Sequence, residues 1–244
     1  LGHRHILVDP MLAPRYALPP LRLLDGQRQR NPVVDLPPQA DDALDQVTHC
    51  LITHCQKGHF DHLDGLGKQW LRDRQIPVIC TPHDAAYLAQ RGIQVHALPE
   101  AHDQASRLFE GQIRTVQCTH GEGLVGRFME HGVGYFLEMP GEPSLYLAGD
   151  TILTPRIQRF VRTLQPRASV IPAGGARFDV GSDIIMGQDE AIAFTQLSTG
   201  TVIANHLEAI SHCPVSRTDL RTAARQAGLA ERLLVPQDGE TVSL

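Results

Sequence analysis

Residues 54–62 contain three histidines and one aspartate, and they directly follow an apolar run over residues 47–53. A neutral imidazole binds a borderline ion such as zinc, and a carboxylate offsets the charge of the ion and can orient a bound water. Apolar side chains then recur at helical spacing, at Leu63, Leu66 and Trp70. The pattern predicts a strand, a ligand-bearing loop and the start of a helix, a rigid setting for a metal ion. The alternative is a histidine-rich surface loop.

Three isolated residues downstream have the same ligand chemistry: His120, Asp150 and His206. Each follows a segment that is predicted to be a strand, and α/β folds place functional side chains on the loops at strand ends. These positions favour a shared metal site over a surface loop. The preceding strands are predicted over residues 111–118, 145–148 and 201–204.

Strands and helices alternate along the rest of the chain. Thr81-Pro82 combines a helix N-cap with a proline at the first helical position, and Ser216 begins a Ser-x-x-Asp capping box. Residues 140–143 hold two prolines and a glycine and predict the turn of a hairpin. Further strands are predicted over residues 6–8, 77–80, 134–139 and 168–171, and helices over residues 81–92, 188–197 and 216–227.

Residues 10–40 form a proline-rich segment without sustained periodicity, holding seven of the seventeen prolines. A loop of this length within a compact domain is usually functional or disordered. The segment is predicted to be a basic lid that meets an anionic substrate, or else a solvated excursion or a contact between subunits. Its charged residues are Arg15, Arg22, Arg28 and Arg30, set against Asp25 and Asp35.

Composition indicates one globular enzyme domain over residues 1–244, with 42% hydrophobic and 20% charged residues. The formal charge of −5 disfavours a nucleic-acid-binding protein. The five cysteines form no C-x-x-C pair, which predicts reduced thiols and a cytoplasmic location. No apolar stretch is long enough to predict a membrane span. No nucleophile elbow, Walker A pattern or dinucleotide fingerprint is present.

His59, Asp61 and His62 resemble the second half of the H-x-H-x-D-H signature of the metallo-β-lactamase superfamily. Further motifs follow in the order of that family, so the resemblance covers nearly the whole chain. Residues 206–213 also resemble the branch that contains ascorbate-6-phosphate lactonase. The further motifs are Thr119-His120-Gly121, Gly149-Asp150-Thr151 with the bridging aspartate, and Asn205-His206-Leu207-Glu208 with the closing histidine.

This resemblance implies an α/β fold, a four-layer αβ/βα sandwich of two facing mixed β-sheets flanked by helices, with the site along one edge. It also implies a divalent metal cofactor, one or two ions of zinc, manganese or iron. A metal-bound hydroxide would then attack the substrate at neutral pH. Asp61 and Asp150 are the expected catalytic residues, which orient this nucleophile or hold a proton for the leaving group. The implied metal ligands are His59, Asp61, His62, His120, Asp150 and His206.

The first histidine of the family signature has two candidate counterparts. Read without a gap, it falls on Lys57, and a protonated lysine cannot coordinate a metal ion and would repel one. Alternatively, His54 at the strand end serves as the ligand across a longer loop. Lys57 in this position would favour a single ion in the second site. The lysine would then lie near the first site, where it could hold an anionic group of the substrate. That second site comprises Asp61, His62, Asp150 and His206.

The ligand set and the resemblance together imply a metal-dependent hydrolase of a lactone or related ester, phosphorylated or not. Lys57 and His212 are its candidate substrate-binding residues. The alternatives are a phosphodiesterase acting on small molecules or lipid head groups, and a non-catalytic metal-binding protein with a degenerate site. The expected partner is a small-molecule substrate, and a homo-oligomer is left open. Because residues 6–10 resemble the second or third strand of the fold and the chain begins with Leu1, an upstream strand is expected to be missing.

Overall fold

The computed structural model describes residues 1–24, 28–99 and 103–244, so the predicted lid residue Asp25 lies outside the described part of the chain. The strands are β1 (Ile6–Val8), β2 (His49–Leu51), β3 (Val78–Cys80), β4 (Val95–Ala97), β5 (Ser106–Leu108), β6 (Gly111–Gln117), β7 (Val133–Glu138), β8 (Leu145–Leu147), β9 (Ala168–Pro172), β10 (Thr201–Asn205) and β11 (Leu233–Leu234). The helices are α1 (Ala40–Asp45), α2 (Gly65–Asp73), α3 (Pro82–Ala89), α4 (Gly123–Phe128), α5 (Pro155–Leu164), α6 (Gln188–Leu197) and α7 (Arg217–Gln226).

The first four strands form a sheet in the order β1-β2-β3-β4. All of its described strand pairs are parallel, whereas the sequence predicted two mixed sheets. The physical reason is the connectivity, because α1, α2 and α3 lie between successive strands. A crossover through a helix returns the chain in the same direction, which gives a parallel pair.

The remaining strands form a mixed sheet in the order β11-β10-β9-β8-β7-β6-β5. The hairpin predicted around residues 140–143 is confirmed, because β7 and β8 pair antiparallel, with Phe136 opposite Tyr146. β8, β9, β10 and β11 are parallel neighbours. The larger sheet thus combines an antiparallel meander with a parallel half.

The two sheets face each other across a shared apolar layer. Leu51 and Ile79 of the small sheet pack in one cluster with Ile113 and Tyr135 of the large sheet. The Tyr135 hydroxyl also donates a hydrogen bond of 2.6 Å to the carbonyl oxygen of Ile52. Successive strand residues point to opposite faces, so the outer faces remain for the helices and the predicted four layers are confirmed.

The outer apolar faces are covered by different helices. Cys50 and Val78 of the small sheet cluster with Leu71 of α2 and Leu88 of α3. The outer face of the large sheet clusters with α5, α6 and α7, where Phe194 is fully buried. None of the helices in the described ranges is long and apolar enough to cross a membrane.

The proline-rich segment from residue 10 to residue 40 lies against the loops beside the predicted site. The side-chain oxygen of Asn31 accepts a hydrogen bond of 2.8 Å from the backbone of Ser211. The backbone of Val33 donates to Ala209, and the backbone of Leu23 donates to Asp179. The segment is thus attached to the body of the protein at several points. Its role as a lid stays a prediction.

Candidate metal centre

Three buried histidines come together at one side of the candidate centre. One ring nitrogen from each of His54, His59 and His120 lies within 4.8 Å of the others. His54 and His59 follow β2, whereas His120 follows β6 in the other sheet. The sequence alternative with His54 in this group is therefore the arrangement that the structure has. We call these three residues the histidine group.

A second set of ligand atoms lies beside the histidine group. It consists of Asp61, His62 and His206, whose ligand atoms are also within 4.8 Å of one another. Asp150 lies at the centre of the whole arrangement. Its Oδ2 atom is 3.1 Å from Nε2 of His62, 3.4 Å from Nε2 of His120 and 3.5 Å from Nε2 of His206. One carboxylate oxygen therefore approaches histidines that follow three different strands.

Each histidine of the centre is held through its Nδ1 atom. A carbonyl or a carboxylate oxygen can only accept a hydrogen bond, so an Nδ1 atom facing one carries the hydrogen. In a neutral ring, Nε2 then has a free lone pair. The Nδ1 partners are Thr53 Oγ1 for His54 at 3.0 Å, Gln56 O for His59 at 2.6 Å, Asp9 Oδ2 for His62 at 2.9 Å, Ile184 O for His120 at 2.8 Å and Cys213 Sγ for His206 at 3.4 Å.

The Nε2 atoms of the centre fit a metal ion. Those of His54, His59 and His206 are buried and have no hydrogen-bond partner. A buried nitrogen without a partner costs free energy, unless something else satisfies it. Imidazole nitrogens and carboxylate oxygens are the donor set that zinc, manganese and iron accept. The orphaned nitrogens therefore meet the requirement for a divalent ion on chemical grounds.

Asp9 and Thr53 connect β1 to the end of β2 behind the centre. Asp9 accepts hydrogen bonds from the backbone and the hydroxyl of Thr53, at 2.8 Å and 2.6 Å. The same carboxylate accepts from His62 at 2.9 Å. Asp9 thus orients a histidine of the centre. Such outer partners fix the tautomer and direction of a ligand.

Burial and neighbouring charges shift the pKa values of the centre in different directions, and for His59 burial is outweighed by Glu130 and Asp61, which raise its pKa. Burial lowers the pKa of His54 well below its usual value and also lowers the pKa of His120. For His62, burial opposes protonation, but Asp150 and Asp9 outweigh it and raise the pKa. Burial would raise the pKa of Asp150, but His206 and His62 outweigh it and hold this pKa well below its usual range. Asp150 is therefore ionised and available to a cation.

The two predicted substrate-binding residues lie in different surroundings. Lys57 is exposed and lies in the left-handed backbone region, with φ 49°. His212 is buried, and its ring centroid is 6.1 Å from that of His206. Burial lowers the pKa of His212 to about 4, and its Nδ1 atom has no hydrogen-bond partner. His212 thus borders the centre as a neutral ring.

Glu130 and Gln56 are contact residues that the sequence did not indicate. Glu130 is buried, and its Oε2 atom lies 3.5 Å from Nδ1 of His59. It follows α4 as a lone acidic residue outside any motif, so no local pattern identifies it. Glu130 also forms a further group of potential ligands with His83 and Asp84.

Residues 4–207 match the family described as beta-lactamase superfamily domain. The chain belongs to this superfamily. Over 247 residues it is 31% identical to UPF0173 protein YddR of Bacillus subtilis, covering 98% of this chain and 93% of that relative. A UPF0173 metal-dependent hydrolase of Methylacidiphilum infernorum is 28% identical over 215 residues, which is 87% of this chain and 88% of that protein.

Two solved structures share the fold over nearly their whole length. An isothiocyanate hydrolase from Delia radicum gut bacteria has a TM-score of 0.87 and 27% identity, covering 98% of this chain and 92% of that one. A possible metal-dependent hydrolase from Veillonella parvula has a TM-score of 0.88 and 26% identity, covering 100% of this chain and 94% of the other. These likenesses confirm the metallo-β-lactamase fold. The lactonase-like branch stays a prediction.

Proposed function

We propose that this protein is a metal-dependent hydrolase of small uncharged esters, with lactones as the preferred class. The observation that carries the proposal is the set of histidines that turn their Nε2 atoms toward Asp150. Five histidines and two aspartates from both sheets converge there. The names and structures of the metal-dependent hydrolase relatives support the same class.

The donor atoms suit two ion positions. The first would be held by the histidine group, and the second by Asp61, His62 and His206, with Asp150 between the two. The sequence predicts a single ion if Lys57 occupies the first-ligand position. Because His54 lies there instead, we propose two ions, of zinc, manganese or iron.

A divalent ion held by these residues would lower the pKa of a bound water and would polarise the bond under attack. The chain supplies the carboxylates. Asp150 is buried and Asp61 is partly buried within the donor set, where either can orient the attacking water. Hydrolysis then transfers one proton of that water to the departing alkoxide, so that a lactone opens to a hydroxy acid. A carboxylate that accepts the proton and passes it on would perform this transfer.

An uncharged substrate agrees with the charges around the centre. Arg217 donates a hydrogen bond of 2.9 Å to Glu208, and Arg177 lies 3.9 Å from Asp183. These arginines thus face acidic partners, whereas a phosphate clamp needs a cation directed at the ligand. Both a phosphorylated ester and a phosphodiester would need such a cation, so these two substrate classes are less favoured.

Apolar side chains border the centre on the side of His120 and His212. The carbonyl of Ile184 accepts the hydrogen bond of His120, and the ring of Phe178 stacks on His212 with centroids 6.0 Å apart. Both residues belong to one apolar cluster, which also includes Ile210 and Met11. An alkyl or aryl substituent on the substrate would lose water contact against such side chains.

Isothiocyanate hydrolysis is a second candidate reaction. Its support is the solved isothiocyanate hydrolase, which is similar over nearly the full length of both chains. Water adds to the central carbon of R–N=C=S and gives a thiocarbamate without a leaving group. The substrate is uncharged and has an apolar substituent, so it fits the same surroundings as a lactone.

The test is a substrate panel with the metal-loaded protein. The panel contains alkyl lactones, carboxylic esters, alkyl and aryl isothiocyanates and bis-p-nitrophenyl phosphate, and His120→Ala is the inactive control. We expect the highest kcat/KM with lactones. Hydrolysis of the phosphodiester should not exceed the background rate. Highest activity on isothiocyanates would select the second candidate. Full metal loading without turnover of any of these compounds would favour the non-catalytic alternative. A cytoplasmic location and a homo-oligomer stay predictions.

A further inference from the structure

The loop between the first two histidines of the centre is longer than in the family signature. Four residues separate His54 from His59, where the signature has one. Lys57 and Gly58 at its tip have positive φ values of 49° and 89° and are exposed. No strand pairing holds this part of the chain. The direction of His59 must therefore depend on contacts from outside the loop.

Gln56 lies within the loop and connects it to residues outside. Its backbone N–H donates to Glu130 Oε2 at 2.6 Å, and its side-chain amide donates to Asp84 Oδ1 at 3.0 Å and to the carbonyl of His83 at 2.9 Å. Its own carbonyl accepts from the backbone N–H of His59 at 3.1 Å and from His59 Nδ1 at 2.6 Å. One residue thus joins the two carboxylates to both donors of His59.

The two carboxylates are in a position to hold the loop firmly. Only 1% of Asp84 and 3% of Glu130 is exposed. Asp84 lies in the first turn of α3, and Glu130 follows α4, so the two come from separate elements that pack beside the centre. Hydrogen bonds to ionised groups are shorter and stronger than neutral ones. Buried carboxylates without such partners would destabilise the fold.

We propose that Asp84 and Glu130 are positioning residues that hold the enlarged loop through Gln56, so that Nε2 of His59 faces the histidine group. We call these two residues the carboxylate anchor. The inference rests on the proposed metal role of the histidine group. Glu130 has a second route to the same ligand, because its Oε2 atom lies 3.5 Å from His59 Nδ1.

Charge gives the carboxylate anchor a further reason to act on the first ion position. The histidine group contributes three neutral donors, so a divalent ion there has only the shared Asp150 as a close counter-charge. Glu130 adds negative charge directly behind one of these ligands. Outer partners of this kind typically change metal affinity by about 10- to 100-fold.

His83 offers a competing explanation, since it forms a group of potential ligands with the carboxylate anchor. Its Nε2 atom lies 3.2 Å from Glu130 Oε1, and 63% of its side chain is exposed. Glu130 Oε1, which faces His83, has no hydrogen-bond partner, whereas the two anchor oxygens that Gln56 contacts are already hydrogen-bonded. Asp84 also lies in the first turn of α3, where the helix N-terminus disfavours a cation. His83→Ala separates the two explanations. It removes the imidazole as a potential metal ligand, but it keeps the hydrogen bonds that the side chain and the backbone N–H of Gln56 donate.

The experiment is a cobalt(II) titration of the metal-free protein, which reports the number of bound ions, their affinities and their absorption spectra. In Glu130→Ala we expect about 10- to 100-fold weaker binding at the first position and unchanged binding at the second. Glu130→Gln keeps an acceptor oxygen for the Gln56 N–H and should fall between Glu130→Ala and wild type. Gln56→Ala, at a half-buried surface position, should weaken the first position and keep the fold, because Cys55 Sγ still donates to Asp84 Oδ1 at 3.3 Å. Gln46→Ala, another surface glutamine bonded to a backbone carbonyl, is the matched control.

Each other result has a definite meaning. Wild-type affinities at both positions in Glu130→Ala and Gln56→Ala would overturn the inference, as would loss of an ion in His83→Ala. A wild-type protein that binds one ion independently of His54 would also overturn it, while leaving the proposed hydrolase intact. If the wild type binds no ion at these histidines, the proposed function itself fails. Circular dichroism of every variant identifies a loss of fold.

Discussion

Asp150 joins the two halves of the centre through one oxygen atom, which lies within 3.5 Å of three histidine Nε2 atoms. We expect Asp150→Ala to lower both metal content and turnover, because Asp150 would contact both ion positions. Turnover should fall by more than about 100-fold, since the loss of a residue that only orients a ligand can already lower metal affinity or activity by that factor. Metal analysis and kcat/KM measure the effect, and circular dichroism checks the fold. Full turnover in the variant would show that Asp150 has no such role.

His54 and Lys57 provide the second test at this scale. We expect His54→Ala to lower metal content by removing a donor from the histidine group, whereas Lys57→Ala leaves it unchanged, because Lys57 is exposed. Lys57→His should add no metal for the same reason. Metal content after dialysis shows whether His54 or Lys57 occupies the first-ligand position. Increased metal in Lys57→His, together with normal content in His54→Ala, would restore the sequence interpretation that places Lys57 in the first-ligand position.

Ligand types could be predicted from the sequence because histidine and aspartate at strand ends have few other uses. His120, Asp150 and His206 were each identified by type and by the preceding strand, and the structure brings them together. The choice between His54 and Lys57 could not be made, because it depends on the path of a loop with two positive φ angles. Local spacing contains no information on that path.

At the scale of elements, helices with capping signals were predicted in the right places, although α3 ends at Ala89 and Thr81 makes no side-chain capping hydrogen bond. Helix α6 agrees with the prediction in both bounds, and Ser216 caps α7 by accepting from the backbone of Asp219. Helix α5 also begins with a Thr-Pro pair and a capping Thr154, and the same signal could have identified it. Strands β4 and β5 were missed because each has three residues and includes exposed positions. Their pairing comes from neighbours distant in sequence.

Gly132 shows how an element supports a ligand. A Cβ atom there would lie 2.8 Å from Cβ of His54 and 2.9 Å from the carbonyl oxygen of Thr53. We expect Gly132→Ala to destabilise the fold by about 1–3 kcal/mol, as overpacking does, and to weaken the first ion position by displacing His54. Urea unfolding of the metal-free protein and a metal titration measure the two effects.

The matched control for this prediction is Gly65→Ala. Gly65 is the first residue of α2, and a Cβ atom there meets nothing within 4 Å. This variant should bind metal as the wild type does. If Gly132→Ala has the stability and metal affinity of Gly65→Ala, the close packing of Gly132 against His54 has no functional consequence.

At the scale of the whole molecule, the centre connects the two sheets. His54, His59, Asp61 and His62 follow β2 of the small sheet, whereas His120, Asp150 and His206 follow strands of the large sheet. The apolar layer between the sheets and the hydrogen bond from Tyr135 to Ile52 make the other connections. An ion bound by ligands from both sheets would therefore oppose their separation during unfolding.

Metal removal should lower the thermal stability of the whole protein for this reason. A ligand that binds only the folded state raises the free energy of unfolding by about 2.7 kcal/mol when its free concentration is 100 times Kd. For a chain of this size, each kcal/mol shifts Tm by about 2–4 °C, so the metal-free protein should melt about 5–11 °C below the loaded one. Differential scanning calorimetry with and without a chelator measures the shift, and Asp150→Ala serves as the control with a much smaller one. An ion bound by residues of both sheets must stabilise the folded state. Equal Tm values for the loaded and the metal-free wild type would therefore mean that the ions do not join the sheets.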